Sequence, residues 1–275
     1  MSNQTYRVAI RIVLIITGLF FIFPLYWMVV MSFKSKEEFY ARPFALPKEW
    51  LFSNYSNALQ SYNFFVYFKN SLIYTAGTLV LVLLLGSMLA YCLSRMDWRF
   101  SKYALSYVAL GLVIPVNVVM IPLFMMVIDL NIQNTYMGLI IPLVAFGLSA
   151  CVLMLYAFFR SLPKELEEAA CIDGCNVYQA YFRIILPIIK PAIATQCVLI
   201  FMNVWNEFPL SYILVTKEAY RPLTVGLANF FMKIGVTDWG LIGAAMILSS
   251  LPTMIVYSVG SEQIEKALTA GAILK

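Results

Sequence analysis

The chain has 275 residues, of which 62% are hydrophobic and only 12% are charged, and its formal net charge is +5. A soluble domain carries about a quarter charged residues. The composition therefore excludes an ordinary soluble protein and indicates that the lipid bilayer is the main solvent of this chain.

Six stretches predict membrane-spanning helices. Each has a charge-free core longer than the roughly 20 residues that a spanning helix needs, except that the fifth carries Glu207. So many apolar helices in a soluble core would leave no polar faces for water. We therefore expect an all-α polytopic membrane protein in which residues 1–275 form a single transmembrane domain. The expected spans are 10–33, 70–94, 103–128, 136–159, 187–215 and 239–261.

The loops between the spans predict the orientation of the chain. If the N-terminus is cytoplasmic, 11 of the 19 Lys and Arg residues lie in cytoplasmic segments, which is the bias that membrane proteins usually show. Six spans then place the C-terminus in the cytoplasm as well. We expect the first span to be retained, because no small-residue cleavage site follows it.

Cysteine and histidine usage argues against a disulfide, a metal site and an enzyme. The five cysteines all lie in expected spans or cytoplasmic segments, and the chain has no histidine, so a structural disulfide is not expected. Cys171 and Cys175 are separated by Gly174, which interrupts a helix, so we expect packing residues and no metal. The chain also has no ATP-binding loop, and no catalytic residues are predicted.

The third expected span contains two prolines. Pro115 and Pro122 flank the polar Asn117, and prolines inside a membrane helix bend it and free backbone carbonyls. The pattern fits a helix that lines a cavity, with Asn117 facing it, and it fits equally an ordinary kink packed against neighbouring helices.

A polar segment at 161–186 separates the fourth and fifth spans. Acidic residues including Glu168 crowd the first turns of a helix, where the helix dipole favours them. Gly174 predicts the end of that helix, and Asn176 with Gln179 predicts a capping box that opens the next one. We expect a helix–turn–helix elbow that either docks another protein or only follows the membrane surface.

The fifth span carries the unusual polar group. Asn203, Asn206 and Glu207 have the i, i+3, i+4 spacing that places side chains on one face of a continuous helix. An ionisable group inside a membrane faces the bundle interior, water or a partner. The group fits a polar lining of a translocation path, and it also fits an interfacial cluster used for packing.

Four stretches of the sequence resemble one family. Glu168-Ala169-Ala170, Gly174 and the later Ile184, Leu186 and Pro187 resemble the EAA loop of ABC importer permeases. The stretches 205–208 (WNEF) and 220–227 (YRPLTVGL) are similar to the carbohydrate-uptake branch, and 268–272 (LTAGA) resembles the C-terminus of the G-type subunits of maltose transporters and their relatives. Ala267 and Cys175 depart from the usual pattern, which has Gly and Ala there.

The resemblance implies a set of partners and a location. A permease of this kind pairs with a second homologous permease and with two ATPase subunits, which hold ATP and Mg, so this chain needs no cofactor of its own. A solute-binding protein delivers a sugar from outside, and the complex lies in the cytoplasmic membrane of a bacterium or archaeon. Nucleic acid is not expected as a partner.

The resemblance also assigns roles to residues. The cytoplasmic coupling helix that contacts the ATPase would include Glu168, Ala169, Ala170, Asp173 and Gly174. The contact with the binding protein would involve Thr216, Lys217, Glu218, Ala219, Tyr220 and Arg221. Candidates for the translocation path are Asn117, Asn203, Asn206 and Glu207, and the C-terminal tail would reach the ATPase dimer.

Two other functions stay open on the sequence. An ABC permease for phosphate, amino acids or metal would keep the loop at 161–186 without the sugar-branch motifs. A stand-alone ion-coupled carrier would use Glu207 as its coupling group. A membrane-embedded enzyme is disfavoured, because no nucleophile–base pair is evident.

Overall fold

The computed structural model describes residues 3–60, 63–233 and 238–273, and within these ranges the chain is helical with no β-strand. A π-helical turn lies at Tyr181–Ile185 and a 3₁₀ turn at Glu218–Tyr220. The α-helices are α1 (Asn3–Ser32), α2 (Lys36–Ala41), α3 (Ser53–Gln60), α4 (Phe64–Arg95), α5 (Ser101–Leu110), α6 (Val116–Asp129), α7 (Tyr136–Ser161), α8 (Glu165–Ile172), α9 (Val177–Ala180), α10 (Leu186–Ile188), α11 (Lys190–Trp205), α12 (Pro209–Leu214), α13 (Leu223–Lys233) and α14 (Trp239–Ile273).

Four of these helices are long and apolar enough to cross a membrane, namely α1, α4, α7 and α14. A fifth crossing is available if Val177–Ile188 and Lys190–Trp205, which meet at an angle of 76°, form one bent span. These helices confirm the predicted all-α polytopic membrane fold.

The third expected span, 103–128, is two helices and not one. α5 ends at Leu110, and α6 begins after Pro115, whose backbone is extended (φ −68°, ψ 130°). Proline has no N–H to donate and disfavours helical geometry in the residue before it, so the helix cannot run through Pro115. Pro122, by contrast, lies inside α6 without ending it.

Two compact units make up the chain. The first comprises Met1–Phe65 and Gly226–Leu251, and it includes the turn after α1. The Lys34 side chain is fully buried there, and its Nζ donates to the backbone oxygens of Arg42 and Pro43 at 2.7 and 3.1 Å. Burial lowers the pKa of Lys34 below its ordinary value.

The acidic side chain of Glu38 holds the next part of the same turn. It accepts hydrogen bonds from the backbone N–H of Lys48 at 2.8 Å and from the Arg42 guanidinium at 3.0 Å. The Lys48 N–H is the main cause that lowers the pKa of Glu38, and Arg42 adds to it. The carboxylate therefore closes the loop between α2 and α3.

The second unit comprises Val66–Val225 and Pro252–Lys275. Its core lies between α4 and α7, where the apolar side chains that are fully shielded from solvent are Val82, Ala90, Cys151, Val152, Leu155 and Phe159. All the residues that were predicted as functional from the sequence lie in this unit, including the tail. The tail at 268–272 belongs to α14, and its side chains lie outside the described part of the structure.

Candidate functional site

The elbow at 161–186 has the local structure that its sequence predicts. α8 ends in a Schellman motif, in which Gly174 N–H donates to Cys171 O and Cys175 N–H donates to Ala170 O, at 3.0 and 2.9 Å. Gly174 has φ +80°, a conformation that costs other L-residues about 1–2 kcal/mol. α9 then opens with a complete capping box between Asn176 and Gln179.

Most of the predicted coupling residues face outward. Glu168, Ala169, Asp173 and Gly174 are exposed, and a Cβ placed on Gly174 would meet no heavy atom within 4 Å. Ala170 differs, because only 2% of its surface is exposed. It lies on the buried face of α8, so it supports the elbow and offers no surface to a partner.

Two exposed apolar side chains beside the turn were not predicted from the sequence. Ile172 is 86% exposed and Tyr178 is 72% exposed, one on each side of Gly174. Large apolar groups at such a tip are costly in water, and they mark contact surfaces when they cluster with polar neighbours. Their signal in the sequence was an apolar residue at each edge of an otherwise polar turn.

Arg95, at the end of α4, fixes the base of the elbow. Its guanidinium forms an ion pair with Glu167, with Nη2 and Oε2 2.7 Å apart, and only 4% of the Arg95 side chain is exposed. The same guanidinium donates to the backbone oxygens of Leu162 and Pro163 at 3.0 and 2.9 Å. The Arg95 side chain therefore fastens the α7–α8 connection to α4. Its ion-pair partner, Glu167, lies 72 residues away in the sequence.

A second tie lies where the elbow turns toward the fifth span. The Tyr181 hydroxyl donates to Ser87 Oγ at 2.7 Å, and 3% of Tyr181 is exposed. Tyr181 opens the π-helical turn, and such turns are frequent at functional sites in helices. The exposed tip of the elbow thus rests on a buried base that is joined to α4 at two points.

The loop at 216–221 is exposed at its tip but held firmly through its backbone. Asn134 Oδ1 accepts hydrogen bonds from the backbone N–H groups of Thr216 and Lys217 at 2.9 and 2.7 Å. Arg221 Nη2 donates to the Thr216 backbone oxygen at 2.8 Å, which closes the loop on itself.

Three side chains at the start of α4 hold the rest of this loop. Tyr67 Oη donates to Glu218 Oε1 (2.7 Å), and Tyr74 Oη donates to Tyr220 O (2.9 Å). Asn70 Nδ2 donates to Ala219 O (2.8 Å) and to Arg221 O (3.0 Å). The side chains of Thr216, Lys217, Glu218 and Ala219 stay exposed. The loop is therefore a rigid projection and not a slack connection.

The fifth expected span, 187–215, also departs from a single helix. α11 ends at Trp205, and Pro209 begins α12, so Glu207 lies in the break and not on a helix face. Glu207 Oε1 accepts from Leu210 N–H at 2.7 Å, and Oε2 accepts from Ser211 N–H at 2.9 Å and from the Ser211 hydroxyl. The carboxylate satisfies the free donors at the start of α12, where the helix dipole favours a negative charge.

Asn203 and Glu207 nevertheless meet at one cavity. It has a volume of about 440 Å³ and is formed by α4, α6, α7, α11 and α12 within the second unit. Asn206 is not among its lining residues and donates to Met202 O at 2.8 Å. Asn117 is exposed and does not line the cavity, although its neighbour Val116 does. Two of the four residues that the sequence placed along one path, Asn117 and Asn206, therefore do not line this cavity.

The fold and these two surfaces define an integral membrane subunit with an exposed helical elbow and a rigid projecting loop. Residues 82–270 match the family described as binding-protein-dependent transport system inner membrane component. The chain belongs to this family.

Individual relatives match almost the whole chain. The chain is 35% identical to the diacetylchitobiose uptake system permease protein NgcG of Streptomyces coelicolor, over 98% of this chain and 90% of that protein. It is 32% identical to the trehalose/maltose transport system permease protein MalG of Thermococcus litoralis, over 97% of this chain and 96% of that protein. A solved bacterial ABC transporter involved in import of the acidic polysaccharide alginate contains a chain with a TM-score of 0.85 and 26% identity, and the match covers 95% of this chain and 98% of that one.

Proposed function

We propose that this chain is the transmembrane permease subunit of an ABC importer that carries a sugar or oligosaccharide across the cytoplasmic membrane of a bacterium or archaeon. The observation that supports coupling to an ATPase is the elbow, which is exposed at its tip and fastened at its base. The sugar is supported by the relatives, whose names refer to diacetylchitobiose and to trehalose and maltose.

In this proposal the elbow is the contact with the ATPase. Glu168, Ala169, Asp173 and Gly174 present a polar, close-approach surface, and Ile172 adds an apolar anchor beside it. Because Arg95 and Tyr181 fasten the base, a force applied at the tip moves α4 and not just a loose loop. Movement of the ATPase subunits would thereby reorient the helices of the permease as rigid bodies.

The chemistry of ATP hydrolysis lies on the partner in this proposal. ATP and Mg bind to the ATPase subunits, and this chain acts only as transporter with no catalytic residue or cofactor.

The loop at 216–221 is the proposed contact with the solute-binding protein. The side chains of residues 216–219 are exposed while the backbone of the loop is fixed to α4 and to Asn134, so the loop can press on a partner without folding away. A rigid projection loses little conformational entropy when it binds. The elbow then lies on the cytoplasmic side, together with both termini, and the loop on the outer side.

The cavity at Asn203 and Glu207 is the proposed part of the translocation path that this chain contributes. Glu207 has both carboxylate oxygens committed to the start of α12, which supports a structural role for its charge over a role in ion coupling. A second homologous permease would complete the path.

ATP-dependent uptake tests the proposal. Proteoliposomes would contain this chain, its second permease and its ATPase, with the binding protein outside and labelled diacetylchitobiose or maltose as probes. We expect uptake that requires ATP and persists when ion gradients are abolished. Uptake by this chain alone, driven by an ion gradient and lost in Glu207→Gln, would instead establish an ion-coupled carrier.

A further inference from the structure

The cavity of the second unit contains a polar group with no partner in the chain. Thr78 is fully buried near the middle of α4, it lines the cavity, and its Oγ1 has no hydrogen-bond partner among the described residues. A buried hydroxyl without a partner costs free energy. A ligand in the cavity that completed the hydrogen bonds of this hydroxyl would offset that cost.

Two amide side chains share the same cavity. Gln196 is 4% exposed, and the hydrogen bond that the structure gives its amide nitrogen is to the thioether sulfur of Met154, a weak acceptor. Asn203 lines the cavity about two helical turns further along α11, on the same face of the helix. Thr78, Gln196 and Asn203 together offer a hydroxyl and two amides, which both donate and accept hydrogen bonds as the hydroxyl groups of a sugar require.

The remaining wall is apolar. Val116, Leu143, Phe146 and Ile200 are among the side chains that complete it. A mostly apolar cavity of about 440 Å³ with a few convergent polar groups has the size and character of a small-molecule site. A sugar ring suits such a wall, because its C–H faces are apolar while its edges carry hydroxyl groups.

The charge of the cavity selects among sugars. Glu207 is the one ionisable residue in its lining, which includes no lysine or arginine. A carboxylate or sulfonate on a sugar would lie near a second negative charge, with no cation in the lining to compensate it. The cavity therefore disfavours acidic sugars.

We propose that Thr78, Gln196 and Asn203 form a subsite for one ring of an uncharged saccharide, and that Glu207 discriminates against acidic saccharides at this position. The inference rests on the proposed function and names its substrate class. The family contains transporters of both kinds, since a structural relative imports an acidic polysaccharide, so membership alone does not decide this point.

The matched pair Thr78→Val and Thr75→Val tests the subsite. Both hydroxyls are buried in α4 without a partner in the described structure, and the two residues lie about one helical turn apart. Thr75 does not line the cavity. Valine replaces each unsatisfied hydroxyl with a methyl group of similar shape, so neither change should prevent folding.

The measurement is equilibrium binding of labelled sugar to the complete membrane complex in nanodiscs, without the solute-binding protein, so that selectivity belongs to the membrane subunits. Diacetylchitobiose and maltose are the neutral probes, and an alginate disaccharide is the acidic one. We expect a neutral probe to bind at least tenfold more tightly than the acidic one. Thr78→Val should weaken neutral binding roughly three- to tenfold, the value of one hydrogen bond, whereas Thr75→Val should leave it unchanged.

Other results would overturn the subsite. Equal effects of the two substitutions, or tighter binding of the acidic probe, would do so while ATP-dependent uptake in the same preparation still supports import. Loss of the second permease from the Thr78→Val complex, with binding by the remainder unchanged, would make the cavity a subunit contact. If no saccharide is taken up at all, the proposed function fails and the subsite fails with it.

Discussion

Substitutions at Gly174 distinguish two costs, that of a strained backbone within the chain and that of a blocked interface with the ATPase. Its φ of +80° is accessible to glycine but disfavours L-residues, of which asparagine is the best tolerated. A Cβ there meets no heavy atom within 4 Å. Within this chain, Gly174→Ala and Gly174→Leu should therefore cost the same, about 1–2 kcal/mol of turn stability, and Gly174→Asn should cost less.

Docking of the elbow on the ATPase would make the effects of Gly174→Ala and Gly174→Leu differ. If the elbow lies against the ATPase, the leucine side chain must enter a surface built for a glycine, and overpacking of that kind costs about 1–3 kcal/mol. We expect Gly174→Leu to lower ATP-dependent uptake in proteoliposomes about fivefold or more below Gly174→Ala, while the variant still copurifies with the second permease. Equal uptake by the leucine and alanine variants would refute the docking of this turn.

Three further substitutions test other parts of the structure. Gly240→Ala would push its Cβ into the Lys34 backbone oxygen, so the midpoint of thermal unfolding in detergent should fall by an amount equivalent to about 1–3 kcal/mol. Gly18→Ala is its control, because nothing lies within 4 Å there; an equal shift in both would refute the contact. Glu167→Gln should destabilise the base of the elbow by about 2 kcal/mol, seen as faster protease cleavage in α8, and unchanged cleavage would contradict the anchoring role. Folding lowers the pKa of Glu38, so the ionised carboxylate stabilises the fold above its ordinary pKa of 4.5, and this stabilisation is lost as the pH falls through the folded pKa. Proteolysis of the α2–α3 loop should therefore rise with acid in the native chain and not in Glu38→Gln. Parallel pH profiles of the two chains would contradict this.

The parts of the site that follow from local chemistry were predictable from the sequence. The end of α8 at Gly174 and the capping box of Asn176 with Gln179 depend on residues within four positions of one another, so their pattern carries the structure directly. Four of the apolar spans, which correspond to α1, α4, α7 and α14, were predictable for a similar reason, because each of them needs only its own length and composition.

The parts that failed depend on distant partners or on a local signal that was passed over. Arg95 supports the elbow through contacts about 70 residues away, and no spacing rule reveals them. The break of the fifth span had a signal, since Pro209 disfavours a helix at the residue before it. A carboxylate at Glu207 followed by Pro209 fits the start of a new helix as well as it fits a polar helix face.

Purification of the tagged chain from native membranes in mild detergent, with mass spectrometry of the proteins that come with it, tests the central claim most directly. The account predicts an ATPase and a second, non-identical permease in the same complex. Recovery of this chain alone, in a preparation that still transports, would contradict it.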